Sequence, residues 1–380
     1  MRLLFVIKTL SPQGGSGGAE RVLTDVVSEL AARGHDVTVL SYDPRDEPVF
    51  YPLPVSVRQR KIGVGKGSRR TTAGEMLARA RRLRKEIADL APDVVIGFMH
   101  SAYVPLVAAM ARTGIPLVAS EHIVFDHYDG RLLEKTLVCL AGLASTRMTI
   151  ISDAVRDSFP GALQSKMTVI PNPVSVNPVA RADPAGGGAQ SKTILCVGRL
   201  EPQKDHGTLI EAFGRLAPDF PDWHLRIIGE GGERQRLEQR LDGLGLAGRV
   251  AIPGREPDIE REYAAAQIFV MPSLYESFGL ATAEALAHGL PVIGFADCPG
   301  TNELVRDQVN GLLVAGEDRV AALAAALREL IESEALRVRL GDAAPATVER
   351  FSVTGIADRW ETLLESLARA RHGRDPALQD

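Results

Sequence analysis

MRLLFVIKTLSPQGGSGGAERVLTDVVSELAARGHDVTVLSY, residues 1–42, decides the fold class. Residues 3–7 are a continuous apolar run, residues 14–18 a glycine-rich turn, and residues 37–42 a second β-branched run. Between them Leu23, Val26, Val27, Leu30 and Ala31 recur at the helical period and Gly34 supplies a stop, so the stretch is a βαβ unit. The first run leads into that turn rather than into a small-residue cleavage site, and is taken as a strand, not a signal peptide.

Outward from this unit the same alternation continues. Short apolar runs at residues 94–98, 116–119, 148–151 and 167–170 are separated by helical patterns, which implies a parallel sheet covered on both faces. It breaks at residues 177–192, NPVARADPAGGGAQSK, whose Pro, Gly and Ala content is that of a flexible linker. Strand-like runs then restart at 193–197, 224–228, 250–252, 268–271, 291–295 and 312–314. The expected fold is α/β with two Rossmann-like, doubly wound domains over residues 1–176 and 193–351. A last helix, 352–370, carries Ile356, Trp360, Leu363, Leu364 and Leu367 on one face, and either caps the second domain or crosses back to the first.

At 380 residues the chain exceeds one core, and 45% hydrophobic with 24% charged residues and 36 glycines excludes collagen-like, disordered and disulfide-scaffold classes. Cys139, Cys196 and Cys298 lie far apart with no zinc spacing and are expected to be buried thiols in a reducing cytosol. No run approaches the ~20 apolar residues of a membrane-spanning helix. The net charge of −4 is asymmetric: residues 1–175 carry 22 basic against 17 acidic side chains.

Five constellations can carry chemistry. Val197-Gly-Arg199-Leu200 followed by Lys204 puts two cations at a strand's carboxyl end, where open α/β sheets bind ligands, and the pair suits a diphosphate. Glu276 and Glu284 flank a turn at Gly279 and a helix start near Leu280; the helix N-terminus is a seat for phosphate, and hydroxyls of sugar and ribose suit the carboxylates. Gly17 and Gly18 in the first turn permit either a tight turn or close ligand approach, without completing a P-loop or GxGxxG pattern. His122, after the strand at 116–119, can bond a sugar hydroxyl or satisfy the core. Finally, residues 58–85 hold 11 Lys or Arg and one acid. There Arg79, Arg81, Arg82, Arg84 and Lys85 surround an apolar helix face of Met76, Ala80, Leu83, Ile87 and Leu90, a pattern for anionic lipid or a solvated face over core. Without interleaved aromatics, nucleic acid is not an expected partner.

Gly17-Gly-Ala-Glu-Arg21, Val197-Gly-Arg-Leu200 with Gln203-Lys204, Ile228-Gly-Glu-Gly231, Pro272-Ser-Leu-Tyr-Glu-Ser-Phe-Gly279 through Glu284, and Asn310-Gly-Leu-Leu-Val314 together resemble the family 4 retaining glycosyltransferases of the GT-B fold. The resemblance implies two Rossmann-like domains with a donor cleft, a C-terminal helix returning to the N-terminal domain, and neither metal nor cofactor. It implies Arg199 and Lys204 on the donor diphosphate, Glu276 on the sugar, Glu284 on the ribose, backbone at Phe278, Gly279 and Leu280 on sugar and phosphate, and His122 facing the reacting sugar. The expected donor is a UDP-sugar of a hexose or N-acetylhexosamine, with a GDP-sugar as the alternative. The expected acceptor is a glycan or polyprenyl-diphosphate-linked glycan at the inner face of the cytoplasmic membrane. A UDP-sugar 2-epimerase of the same fold, or a non-catalytic two-domain sugar-binding protein, are the competing expectations. One loop departs from the pattern: Cys298-Pro-Gly-Thr301-Asn302-Glu303 has Thr-Asn where many relatives carry a further glycine.

Overall fold

The computed structural model describes residues 1–12, 18–63, 73–175, 181–187 and 192–373. They form two compact units, one within residues 1–173 and 353–373 and one within residues 174–352.

The first unit holds a seven-stranded parallel sheet of β1 (Arg2–Ile7), β2 (Asp36–Ser41), β3 (Arg58–Lys61), β4 (Val94–Phe98), β5 (Leu117–Ser120), β6 (Arg147–Ile150) and β7 (Met167–Val169). Their order is β3-β2-β1-β4-β5-β6-β7. β1 is central, pairing Leu3 with Val37 on one side and with Val94 on the other, which explains its apolar run. Helix Gly18–Ala32 buries Val22, Leu23, Val26, Val27 and Leu30, the face that periodicity marks out. β3, sequence RQRK, has no apolar run at all; it is a short edge strand held by its ladder to residues 38–41 of β2.

The second unit repeats the design with six parallel strands: β8 (Lys192–Val197), β9 (Trp223–Ile228), β10 (Val250–Gly254), β11 (Ile268–Met271), β12 (Val292–Phe295) and β13 (Gly311–Val314), ordered β10-β9-β8-β11-β12-β13. In each sheet the order reverses at the first strand, so the ligand crevice belongs at the carboxyl ends of β1 and β4, and of β8 and β11.

Helix Val353–His372 belongs to the first unit. Trp360 stacks near Phe98 at 6.3 Å and meets Phe5 edge-on at 6.2 Å, while Arg33 bonds Asp358 at 2.6 Å and Glu361 at 2.9 Å. The unit boundary falls after Pro173, not within residues 177–192. The described part of that stretch, residues 181–187, is no free linker. Ala182 N–H donates to the His288 carbonyl at 2.8 Å, and the fully buried Arg337 donates from Nε to the Pro184 carbonyl at 2.8 Å. A buried guanidinium needs acceptors, and this segment supplies two of them, the carbonyls of Pro184 and Ala185.

Candidate functional site

In the second unit the loop after β8 is seated by main-chain bonds. Gly198 N–H donates to Ile228 O at 3.0 Å and Leu200 N–H to Glu230 O at 2.9 Å. A Cβ at Gly229 would lie 1.9 Å from Gly198 O and one at Gly231 2.3 Å from Leu200 O, so the two loops approach too closely for any other residue. On this loop Lys204 Nζ donates to Glu276 Oε1 at 2.5 Å, and Ser273 Oγ donates to the same oxygen at 2.6 Å. The two side chains are 13% and 9% exposed, so this ion pair is largely withdrawn from water. Arg199, 65% exposed, lies 3.8 Å from Glu201 and is not drawn into that pair.

The segment carrying Glu276 is pinned from three sides. Leu274 N–H donates to Gln203 O at 2.9 Å and Gln203 Nε2 to Tyr275 O at 2.7 Å, Glu276 N–H to Pro299 O at 2.9 Å, and Arg319 Nη2 to Pro272 O at 3.0 Å. Gly300 matters here: a Cβ on it would lie 2.5 Å from Glu276 O. Its place beside Glu276 was not legible from spacing.

Helix Leu280–Ala287 begins at Gly279, left-handed at φ 83°, with no side-chain cap. Its first amides are therefore uncapped, and the buried Thr282 hydroxyl has no hydrogen-bond partner among the described residues. Phe278 is buried against Phe351, ring centroids 5.2 Å apart, which fixes the turn that presents these donors. Glu284 accepts from the Tyr263 hydroxyl at 2.8 Å, and Tyr263 stacks on His288 at 5.0 Å. Lys204 and Glu276 thus meet, and the helix start follows Glu276 directly along the chain; Glu284 is held by core contacts one turn deeper.

In the first unit Gly17 lies outside the described residues, and Gly18 is the exposed first residue of its helix. His122 has both ring nitrogens engaged, Nε2 with Ser120 Oγ at 3.0 Å and Nδ1 with Asn172 Oδ1 at 3.2 Å, and its ring lies 4.4 Å from Phe98. Since Asn172 Oδ1 can only accept, Nδ1 carries the proton and Nε2 accepts from Ser120. Beside it, and missed from sequence, Glu121 is fully buried. It takes hydrogen bonds from Tyr103 OH at 2.6 Å, Tyr128 OH at 2.9 Å and the amides of His122 at 2.9 Å and Ile123 at 3.2 Å; Tyr128 OH also meets His100 Nδ1 at 2.8 Å. The available signal was a carboxylate directly after an apolar strand with no cation near it in sequence.

Helix Ala73–Leu90 uses its apolar side as core, with Leu83 and Ile87 buried. Three of its five expected lipid-facing cations are engaged by the protein: Arg79 lies 4.4 Å over the Tyr42 ring, Arg82 donates to Ile62 O at 3.0 Å, and Arg84 to Ala111 O at 3.0 Å. Arg81 and Lys85 point to solvent.

Burial lowers His122 to about 4, and burial together with Lys204 lowers His206 to about 4. Both stay neutral in the fold while unfolded histidines protonate below about 6.5. Stability is therefore full above that pH and falls as pH drops from 6.5 to 4, by about 1–3 kcal/mol per histidine. The urea midpoint is expected to drop between pH 7.5 and 4.5, with a shallower drop for His206→Asn; an unchanged slope in that variant overturns the assignment. Burial raises Cys196 to about 12, and raises Cys139 and Cys298 as well, so none of the three is poised as a thiolate.

Two family models cover most of the chain: Glycosyltransferase Family 4 matches residues 16–177 and Glycosyl transferases group 1 matches residues 184–347. The chain is similar to the Campylobacter jejuni GalNAc-alpha-(1->4)-GalNAc-alpha-(1->3)-diNAcBac-PP-undecaprenol alpha-1,4-N-acetyl-D-galactosaminyltransferase, at 23% identity over 97% of this chain and 100% of that one. In fold it is similar to sucrose-phosphate synthase from Thermosynechococcus elongatus, with TM-score 0.82 and 20% identity over 97% of this chain and 100% of that chain. It is also similar to Anabaena HepE solved with UDP and glucose, with TM-score 0.78 and 23% identity over 96% of this chain and 100% of that chain. Both matches agree with two parallel-sheet units of the GT-B type.

Proposed function

The chain belongs to the glycosyltransferases that join a Family 4 half to a group 1 half, and from that membership we propose that it moves a hexose or N-acetylhexosamine from a UDP-sugar, with retention, to a glycan or polyprenyl-diphosphate-linked acceptor. The observation that carries the reading is the withdrawn Lys204–Glu276 pair beside an uncapped helix start with the unpartnered Thr282 hydroxyl. Cations and oriented amides stabilise a diphosphate most when water is kept away.

In this reading Lys204, Arg199 and the amides at residues 279–282 hold the diphosphate, Glu276 takes sugar hydroxyls, and Glu284 faces the ribose. The acceptor oxygen bonds to the anomeric carbon on the face from which the phosphate oxygen leaves, and that phosphate takes the acceptor's proton. Charge stabilisation of the departing UDP supplies the rate, and no metal or cofactor enters the proposal. His122, neutral with Nε2 accepting from Ser120, positions rather than transfers protons. Work at the inner face of the cytoplasmic membrane is part of the proposal, supported by the undecaprenol-linked substrate in the Campylobacter relative's name; among the described residues no helix is long and apolar enough to cross a membrane.

A thermal-shift series tests the donor class. UDP is expected to raise the melting temperature by several degrees at 100 Kd, where linkage gives about 2.7 kcal/mol, and GDP by far less. A larger shift with GDP would reassign the base. UDP-N-acetylglucosamine converted to its 2-epimer without acceptor would favour the epimerase instead.

A further inference from the structure

Helix Leu132–Ala144 reverses the usual arrangement of a surface helix. Its buried side carries the small residues Val138, Ala141 and Gly142, and its solvent side carries leucines: Leu132 is 79% exposed, Leu133 74%, Leu140 57% and Leu143 48%. At 100° per residue these four fall within an arc of about 100°, with Thr136 inside it and no charged residue. Single exposed leucines are ordinary, but a contiguous uncharged leucine face on a helix marks a surface built to be covered.

The rim of this face is basic. Arg131 and Lys135 flank its N-terminal end, where Glu134 and Asp129 pair with them, and exposed Arg147 flanks the other, beside half-buried Lys166, which donates to the carbonyls of Leu143 and Ser145. Right-handed crossovers place helices 73–90, 100–110 and 132–144 on one side of the first sheet, and they touch in that order. The solvent-facing Arg81 and Lys85 therefore lie on the same side as the leucines. An apolar stripe bordered by cations matches an anionic lipid surface, where leucines enter the acyl boundary and cations meet headgroups. A second copy of the chain fits less well: four leucines so exposed offer on the order of 450 Å², against about 800 Å² per partner in a stable interface.

We infer that helix Leu132–Ala144 docks this protein on an anionic membrane through its leucine face, with the cations of helix Ala73–Leu90 as a secondary, salt-sensitive contact. The inference deepens the proposed membrane setting and rests on it. It is read without donor or acceptor, so its failure is distinct from failure of the transfer reading, which activity on a soluble acceptor reports.

The full chain is sedimented with vesicles of phosphatidylglycerol and phosphatidylcholine. Wild type is expected to bind, and the variant L132S/L133S/L140S/L143S to lose at least tenfold in partitioning with unchanged circular dichroism and melting temperature, since all four side chains are exposed. R81S/K85S is expected to lose a few-fold, with weakened salt dependence. Wild type left in the supernatant, or the quadruple serine variant bound as well as wild type, overturns the inference. So does light scattering that finds a wild-type dimer converted to monomer by the leucine substitutions.

Discussion

Lys204→Ala is expected to cut kcat/KM for transfer by about a thousandfold while leaving the fold intact. Two effects add. The ammonium that meets the departing diphosphate disappears, and removing one preorganised donor of a developing charge costs about 10²–10³ in rate. In addition Glu276, 9% exposed and bonded to Lys204 at 2.5 Å, becomes a carboxylate without its cation beside the phosphates, a repulsion wild type does not have. Each 1.36 kcal/mol of lost stabilisation is tenfold. The fold is spared because Lys204 ends a short turn, Pro202–Lys204, whose main-chain bonds do not involve the side chain. Lys204→Arg is expected to recover part of the rate, since it restores charge without the compact ammonium. Glu276→Gln is expected to lose about a hundredfold. Combining Lys204→Ala with Glu276→Gln is expected to cost less than the two losses multiplied, because the repulsion goes with the charge. Initial rates at varied donor, with circular dichroism as a fold control, decide it; wild-type turnover in Lys204→Ala would sink the donor-site assignment.

What the sequence showed of this site follows from how parallel sheets are encoded. Buried strands are apolar runs, so the ends of β5, β8 and β11 could be located, and with them His122, Arg199, Lys204 and Glu276. The Lys204–Glu276 pair itself was hidden, because its members are 72 residues apart and meet only through the β8–β11 neighbour relation. β3 was hidden for the opposite reason: RQRK at an edge buries nothing and is a strand only because β2 pairs with it. Residues 181–187 looked like linker by composition, and composition carries no sign of Arg337, 153 residues beyond Pro184, whose buried guanidinium donates to the Pro184 carbonyl. The leucines of helix Leu132–Ala144 were visible, but not which way they face; the small residues Ala141 and Gly142 turn inward, where a Cβ on Gly142 would lie 2.5 Å from the Met148 sulfur.

Glu121→Ala is expected to be the most destabilising single change at the first unit's candidate site, although Glu121 is shut off from solvent. Four donors converge on its carboxylate: Tyr103 OH, Tyr128 OH and the amides of His122 and Ile123. Truncation leaves them in a buried pocket, and each unsatisfied buried donor costs about 1–3 kcal/mol. Part is recovered as the tyrosines turn toward each other and His100, so a net loss of about 4 kcal/mol is a fair expectation. For a unit of this size that lowers the melting temperature by about 8–16 °C. Burial first, and the neighbouring Glu121 charge next, hold both tyrosine hydroxyls well above their ordinary range, so they remain donors at any working pH. Glu121→Gln keeps one acceptor oxygen for the two amides and loses the charge-assisted part of the tyrosine bonds, about half the destabilisation of the alanine change. Because His122 follows Glu121 directly and its amide is one of the four donors, the alanine variant is expected to lose transfer activity beyond its unfolded fraction at 20 °C. Calorimetry of the two variants beside wild type decides the matter: equal melting temperatures for wild type and Glu121→Ala would mean that the buried carboxylate organises nothing.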